Sequence, residues 1–80
     1  MSLDRLKDVF VDALGLPPGT DVTGLEYRSI EQWDSLAHLA LVTAIETEFD
    51  VMFDVDDVLG LSSFSAGVDT LKRLGVPLDG

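Results

Sequence analysis

The stretch from Leu36 to Phe49 constrains the fold more than any other part of the chain, because its apolar residues recur at the spacing of an α-helix. Asp34 and Ser35 come directly before it and carry side-chain oxygens of the kind that cap helix N-termini. Steps of about 100° per residue separate this helix into two faces. The face predicted to lie in the core carries Leu39, Val42, Ile45 and Phe49, with Leu41 on its flank.

The opposite face of the same helix is predicted to be exposed and mildly apolar. It carries Leu36, Ala40, Thr43 and Thr47. A helix face that meets only water usually carries more charge, so we expect this one to contact partner proteins, with Leu36 as the leading contact. The acidic side chains expected to orient that docking are Glu46, Glu48, Asp56 and Asp57.

The chain before this helix divides into a second amphipathic segment and a long connection. Apolar residues at helical spacing predict a helix over residues 3–14, which ends at Gly15. Residues 16–34 have no clean period, and a loop of this length is unusual in a small domain unless it is pinned or functional. The apolar residues expected to anchor the loop over the helices are Leu25, Tyr27, Ile30 and Trp33.

Two more helices are predicted after residue 50. Asp54 is expected to cap a short third helix that ends at Gly60, and Ser62 or Ser63 is expected to cap the last one. The inward side chains predicted for the short helix are Val55, Val58 and Leu59. The predicted fold class is therefore all-α: a small four-helix bundle of three main helices and a short third one, with a long first loop.

Composition narrows the function further. The 80 residues are expected to form a single domain over 1–80, and they include no cysteine, so any thiol chemistry has to be imported. A net charge of −10 disfavours nucleic acid and anionic membrane surfaces, and it suits docking onto basic protein surfaces. The acids could instead serve solubility alone. Without a membrane-spanning run or a signal-peptide pattern, the expected location is the cytoplasm.

Ser35 is the main candidate for a functional side chain. A serine at the start of a helix is usually only a cap. Asp34 before it, Leu36 after it and the exposed apolar face beyond it favour a second role. A phosphodiester on Ser35 would lie at the helix N-terminus, where free backbone N–H groups and the helix dipole favour an anion.

The sequence around Ser35 resembles that of a known protein family. Asp34-Ser35-Leu36, followed by Leu39, Val42, Ile45, Glu46 and Phe49, is similar to the modification site and second helix of acyl carrier proteins. The likeness extends over nearly the whole chain, including the short acidic third helix and a last helix that begins Ser-Ser-Phe. It implies that Ser35 carries a covalent 4′-phosphopantetheine arm, installed from coenzyme A by a phosphopantetheinyl transferase. The arm's thiol would hold an acyl group as a thioester, and the chain itself would not be an enzyme.

The chain also departs from carriers of the fatty-acid type. Those carriers typically have a Leu-Gly-small sequence before Asp-Ser-Leu, whereas Glu31-Gln32-Trp33 stands here. Their second helix is richer in acids near its start, where this chain has His38 and Ala40. The resemblance therefore implies a stand-alone carrier for a dedicated pathway, such as polyketide, peptide or short-acyl transfer, more than for bulk fatty acid synthesis.

His38 follows Ser35 by one helical turn and has two interpretations. It could touch the arm, which makes it a candidate cofactor contact together with Asp34 and Leu36, or it could simply fit a half-exposed corner, which we prefer. A hydrolase built on Ser35, His38 and Asp34 is disfavoured because no Gly-x-Ser-x-Gly elbow accompanies them. The acids near Asp54 lack the spacing of a calcium loop, so no metal site is expected.

The expected partners follow from the carrier hypothesis. They are the phosphopantetheinyl transferase and the acyl-loading and acyl-processing enzymes, which would have basic docking surfaces, and we expect the carrier to be a monomer. Two alternatives remain open. One is a peptidyl or aminoacyl carrier, and the other is an acidic helical interaction module that never receives an arm.

Overall fold

The computed structural model describes residues 2–78, and within them the chain is all-α. Its four helices are α1 (Ser2–Leu14), α2 (Ser35–Phe49), α3 (Val55–Gly60) and α4 (Phe64–Arg73). The predicted fold class and helix count are confirmed. Only an isolated bridge between Glu26 and Ser63 has β character in the described part of the chain.

Helices α1 and α2 run antiparallel and pack directly on each other. The guanidinium of Arg5, near the start of α1, donates to the Glu48 carboxylate near the end of α2 at 2.7 Å, and also to the Glu48 backbone carbonyl at 2.8 Å. The same guanidinium lies 5.1 Å from the centre of the Phe49 ring. The ion pair places the start of α1 beside the end of α2, and an exposed pair of this kind adds little stability.

The core forms around Trp33, which is completely buried although it belongs to the long loop. Its ring meets Phe10 edge-on at 5.6 Å, and Phe10 meets Phe64 in the same way at 5.0 Å. The other fully buried large side chains are Leu6, Val22, Leu41, Ile45, Leu61 and Leu71. Trp33 therefore anchors the loop, as predicted, and it does so from the centre of the core.

The long loop is held by backbone hydrogen bonds to the connection between α3 and α4. The N–H of Tyr27 donates to the carbonyl of Ser62 at 2.8 Å, and the N–H of Phe64 donates to the carbonyl of Leu25 at 3.0 Å. A long irregular segment with such partners can keep one conformation, because its buried polar groups are satisfied. The loop is thus a rigid support for the start of α2.

The core face predicted for α2 needs one correction. Leu39 was predicted to be buried, but it is 59% exposed. The residues that α2 does bury are Leu41, Val42 and Ile45. At about 100° per residue, the centre of that face lies roughly 110° from Leu39, which therefore joins the exposed side.

The inward face predicted for α3 is wrong for two of its three residues. Val55 and Leu59 are exposed, and only Val58 packs against the core. The rotation of this short helix is instead set by polar contacts. Asp57 is buried and forms an ion pair with Arg73 of α4, so the face that carries Asp57 turns inward.

Candidate functional site around Ser35

Ser35 is the first residue of α2 and is exposed to solvent. Asp34 is the N-cap, in an extended backbone conformation, and its Oδ1 accepts a hydrogen bond from the N–H of Ala37 at 2.9 Å. Of the two caps that the sequence allowed, the structure selects Asp34. The Ser35 hydroxyl is consequently not needed for capping and is free for other contacts.

The Ser35 hydroxyl forms a hydrogen bond with the phenol of Tyr27, at an Oγ to Oη distance of 3.1 Å. The Tyr27 ring is half-buried and meets two other rings edge-on, Trp33 at 6.1 Å and His38 at 5.0 Å between ring centres. Sequence reasoning treated Tyr27 only as an apolar anchor of the loop. Its hydroxyl was the available signal, but only the folded loop brings that hydroxyl to Ser35.

His38 links three parts of the structure through its two ring nitrogens. Its Nδ1 accepts a hydrogen bond from the indole N–H of Trp33 at 3.0 Å, and its Nε2 lies 2.8 Å from the carbonyl oxygen of Val58 in α3. The indole can only donate, so Nδ1 must be the acceptor and Nε2 carries the proton that is donated to Val58. His38 thus connects the loop, α2 and α3.

This arrangement bears on one interpretation of His38, its use as a catalytic base, and leaves its contact with the arm a prediction. Both of its nitrogens are engaged in structural hydrogen bonds, and Ser35 is bonded to Tyr27 rather than to His38. An imidazole used in this way cannot act as the general base of a serine nucleophile without giving up a contact. The geometry therefore supports a structural role of His38, whose ring stacks on Trp33 and meets the Tyr27 ring edge-on.

A small cavity lies beside the Tyr27 ring, between the loop, α2 and α3. Its volume is about 140 Å³. The residues that line it are Tyr27, His38, Val58, Leu59, Leu61 and Ser62. Because Tyr27 lines the cavity and also bonds to Ser35, the cavity adjoins the candidate site.

Large apolar side chains are exposed on α2, on the loop that follows it and on α3. Leu36, one residue after Ser35, is 78% exposed. The other exposed large apolar residues are Leu39 on α2, Met52 in the following loop, and Val55 and Leu59 on α3. The predicted face of α2 is also exposed along its length, at Ala40, Thr43 and Thr47. We call Leu36, Leu39, Met52, Val55 and Leu59 the apolar surface.

Three of the four acidic residues that were expected to orient docking have other contacts. Asp57 is only 5% exposed, so its predicted place on a docking surface is wrong. Burial would raise the pKa of Asp57, but the hydrogen bond from the Asp54 N–H and the Arg73 guanidinium outweigh it and hold the pKa below its ordinary value. Asp54 and Asp57 together form a capping box for α3.

The other acids of that group are placed differently. Glu46 is half-buried and accepts a hydrogen bond from the N–H of Phe53 at 2.8 Å, which shapes the loop after α2. Glu48 is exposed but paired with Arg5. Asp56 is exposed on α3. The docking role of these three residues stays a prediction, and the exposed apolar residue directly beside Ser35 is Leu36.

Comparison of the sequence with models of known protein families finds no match. Within residues 2–78, none of the helices is long and apolar enough to cross a membrane.

Proposed function

We propose that this protein is an acyl carrier with Ser35 as the attachment site of a 4′-phosphopantetheine arm. The observation that carries the proposal is the geometry of Ser35: an exposed serine at the first position of α2, with its helix already capped by Asp34. A hydroxyl at this position can reach the active site of a modifying enzyme without unfolding of the helix. The Leu36 side chain beside it offers that enzyme an apolar contact.

The proposed modification supplies what the chain lacks. In the transfer step, Ser35 Oγ attacks the coenzyme A phosphorus that bears the pantetheine, the P–O bond from that phosphorus to the nucleotide phosphate breaks, and a phosphodiester forms. The proton of Ser35 Oγ passes to a base of the transferase, and the nucleotide part of coenzyme A leaves. The arm then provides the thiol that a chain without cysteine cannot provide itself. Because the phosphodiester is attached at the N-terminal end of α2, its negative charge is favoured by the helix dipole.

Docking in this proposal depends first on the apolar surface and second on charge. A partner that covers Leu36 would bury a large apolar side chain next to the reacting serine, and burial of that surface favours the docked state. The net charge of −10 adds long-range attraction to basic partner surfaces. Such contacts would be small and transient, since a carrier must leave one enzyme before it reaches the next.

The proposed cargo is an acyl group of a dedicated biosynthetic pathway, such as a polyketide-like or other specialised one, in the cytoplasm. The first turn of α2 contains no acidic residue. This favours partners that contact the start of α2 through apolar groups rather than through a strongly basic patch. A peptidyl or aminoacyl cargo would be carried on Ser35 in the same way.

The test is a loading assay followed by intact mass measurement. The protein is incubated with coenzyme A, magnesium and a phosphopantetheinyl transferase of broad specificity, and a gain equal to one phosphopantetheine is expected. Ser35→Ala should show no gain. Ser65→Ala is the matched control, since Ser65 is an exposed serine on α4, and it should be loaded like the wild type.

The same assay separates the carrier from an acidic interaction module without an arm. That alternative predicts no gain for the wild-type protein. A gain that persists in Ser35→Ala would place the modification elsewhere and contradict the proposed site.

A further inference from the structure

The hydrogen bond between Tyr27 and Ser35 has a consequence for the modified protein, if Ser35 is the attachment site proposed above. In the unmodified chain, the two hydroxyls lie 3.1 Å apart and either can be the donor. When Ser35 Oγ attacks phosphorus, its own proton must leave toward the base of the transferase. The hydroxyl that can stay bonded to Oγ during this step is therefore the Tyr27 O–H, acting as donor.

The bond must change once the phosphodiester has formed. Ser35 Oγ then has no proton and becomes a bridging ester oxygen, which is a weak acceptor. The two non-bridging oxygens of the same phosphate share a negative charge and accept hydrogen bonds more strongly. They are separated from Oγ only by the phosphorus atom, so the Tyr27 hydroxyl can reach one of them by a small rotation of the new ester group.

The position of Tyr27 means that little side-chain conformational entropy is lost when its hydroxyl binds the phosphate. Its backbone N–H is bonded to the carbonyl of Ser62 at 2.8 Å, and its ring is packed edge-on against Trp33 and His38. The phenol is thus already ordered before any ligand is present, and little side-chain freedom remains to be lost.

We propose that Tyr27 is a positioning residue for the arm: its hydroxyl orients Ser35 Oγ before transfer and donates to a non-bridging phosphodiester oxygen afterwards. The proposal rests on the proposed function. It concerns the phosphate end of the arm. The hydrogen bond from Tyr27 would fix the direction in which the arm leaves Ser35.

The first experiment compares Tyr27→Phe with the wild type, each with and without the arm. Phenylalanine keeps the ring contacts and removes only the hydroxyl. The substitution should raise the unfolding equilibrium constant about three- to tenfold more in the loaded protein than in the unloaded one, because a hydrogen bond to a charged acceptor is stronger than one between hydroxyls. A purely structural role of Tyr27 predicts that the ratio of the unfolding equilibrium constants of Tyr27→Phe and wild type is the same in the loaded and the unloaded protein.

The phosphorus nucleus offers an independent measurement. The ³¹P resonance of the loaded Tyr27→Phe protein should be displaced from that of the wild type, whereas loaded Ser65→Ala should coincide with the wild type. Equal unfolding ratios together with an unmoved ³¹P resonance would overturn the inference.

A third measurement needs no variant, which covers the case of a misfolded Tyr27→Phe protein. The chain has a single tyrosine, so the ¹³Cζ resonance of labelled tyrosine reports on Tyr27 alone. This resonance should move when the wild type is loaded. An unchanged ¹³Cζ chemical shift would contradict the proposed contact. Failure of the wild type to accept the arm would contradict the proposed function itself, and that outcome is visible by mass before any of these comparisons.

Discussion

Leu36 and Leu41 provide a matched test of the proposed docking surface, because they are the same residue type on the same helix. Leu36 is 78% exposed, whereas Leu41 is completely buried. Full burial of a leucine side chain stabilises a protein by about 1.5–3 kcal/mol. The small buried fraction of Leu36 therefore contributes roughly 0.3–0.7 kcal/mol to folding, and Ala is also the better helix former.

The substitution Leu36→Ala should accordingly leave the unfolding free energy within about 0.5 kcal/mol of the wild type. If a partner covers the exposed part of Leu36, truncation removes up to about 1–2 kcal/mol from the docked state, which corresponds to a loss of roughly five- to thirtyfold in kcat/KM for arm transfer. Leu41→Ala should show the reverse pattern, with a loss of about 2–5 kcal/mol in stability.

The assay combines urea unfolding, followed by the helical circular dichroism signal, with the rate of mass gain at several protein concentrations. Both are measured on Leu36→Ala and on Leu41→Ala at a temperature where each variant is folded. Transfer to Leu36→Ala at the wild-type rate would remove Leu36 from the docking surface. A large loss of stability in that variant would refute the assignment of Leu36 to the exposed side.

Three further predictions concern charged groups. Asp34→Ala should cost about 1 kcal/mol of stability by loss of the N-cap. Asp34→Asn should keep the cap, so that its transfer rate shows what the charge of Asp34 contributes. Equal urea midpoints for the two variants would contradict the capping role. Asp57 has a folded pKa below the ordinary value of 3.8, so its ionised form adds stability that is present above that pH and lost as the pH falls through the folded pKa. The stability difference between the wild type and Asp57→Asn should therefore shrink in urea titrations below pH 3.8, and a pH-independent difference would refute this. Docking should slow as salt rises if the net charge of −10 steers encounter, and a salt-independent kcat/KM would assign the acids to solubility alone.

The helices could be predicted because each depends on local signals. Periodic apolar residues, capping side chains and glycine stops predicted all four helices in the right order. The predicted caps Asp34 and Asp54 are the caps of α2 and α3 in the structure. The rotation of α3 could not be predicted in this way. Six residues make less than two turns, and the face that turns inward carries Asp57, whose ion-pair partner Arg73 lies 16 residues later in the sequence.

The site around Ser35 was predictable only in part, for a similar reason. Ser35 and Leu36 stand out because the start of an amphipathic helix can be recognised from sequence. Tyr27 lies in a loop without a period, and its approach to Ser35 depends on hydrogen bonds between that loop and residues 62 and 64. No local pattern encodes a contact of that kind.

The contact between Trp33 and His38 explains why both residues are present. From sequence, His38 and the Glu31-Gln32-Trp33 segment were departures that separated this chain from fatty-acid-type carriers. In the structure they form a pair: the buried indole N–H needs an acceptor, and His38 Nδ1 provides it while Nε2 donates to Val58. Each residue thus accounts for the other, since either one alone would leave a polar group unsatisfied. The contact between Trp33 and His38 thus explains both departures without reference to a cargo. If Ser35 carries an arm, as proposed, the feature that bears on the choice of partners is the Leu36 side chain, which is exposed beside Ser35 in a first helical turn that contains no acidic residue.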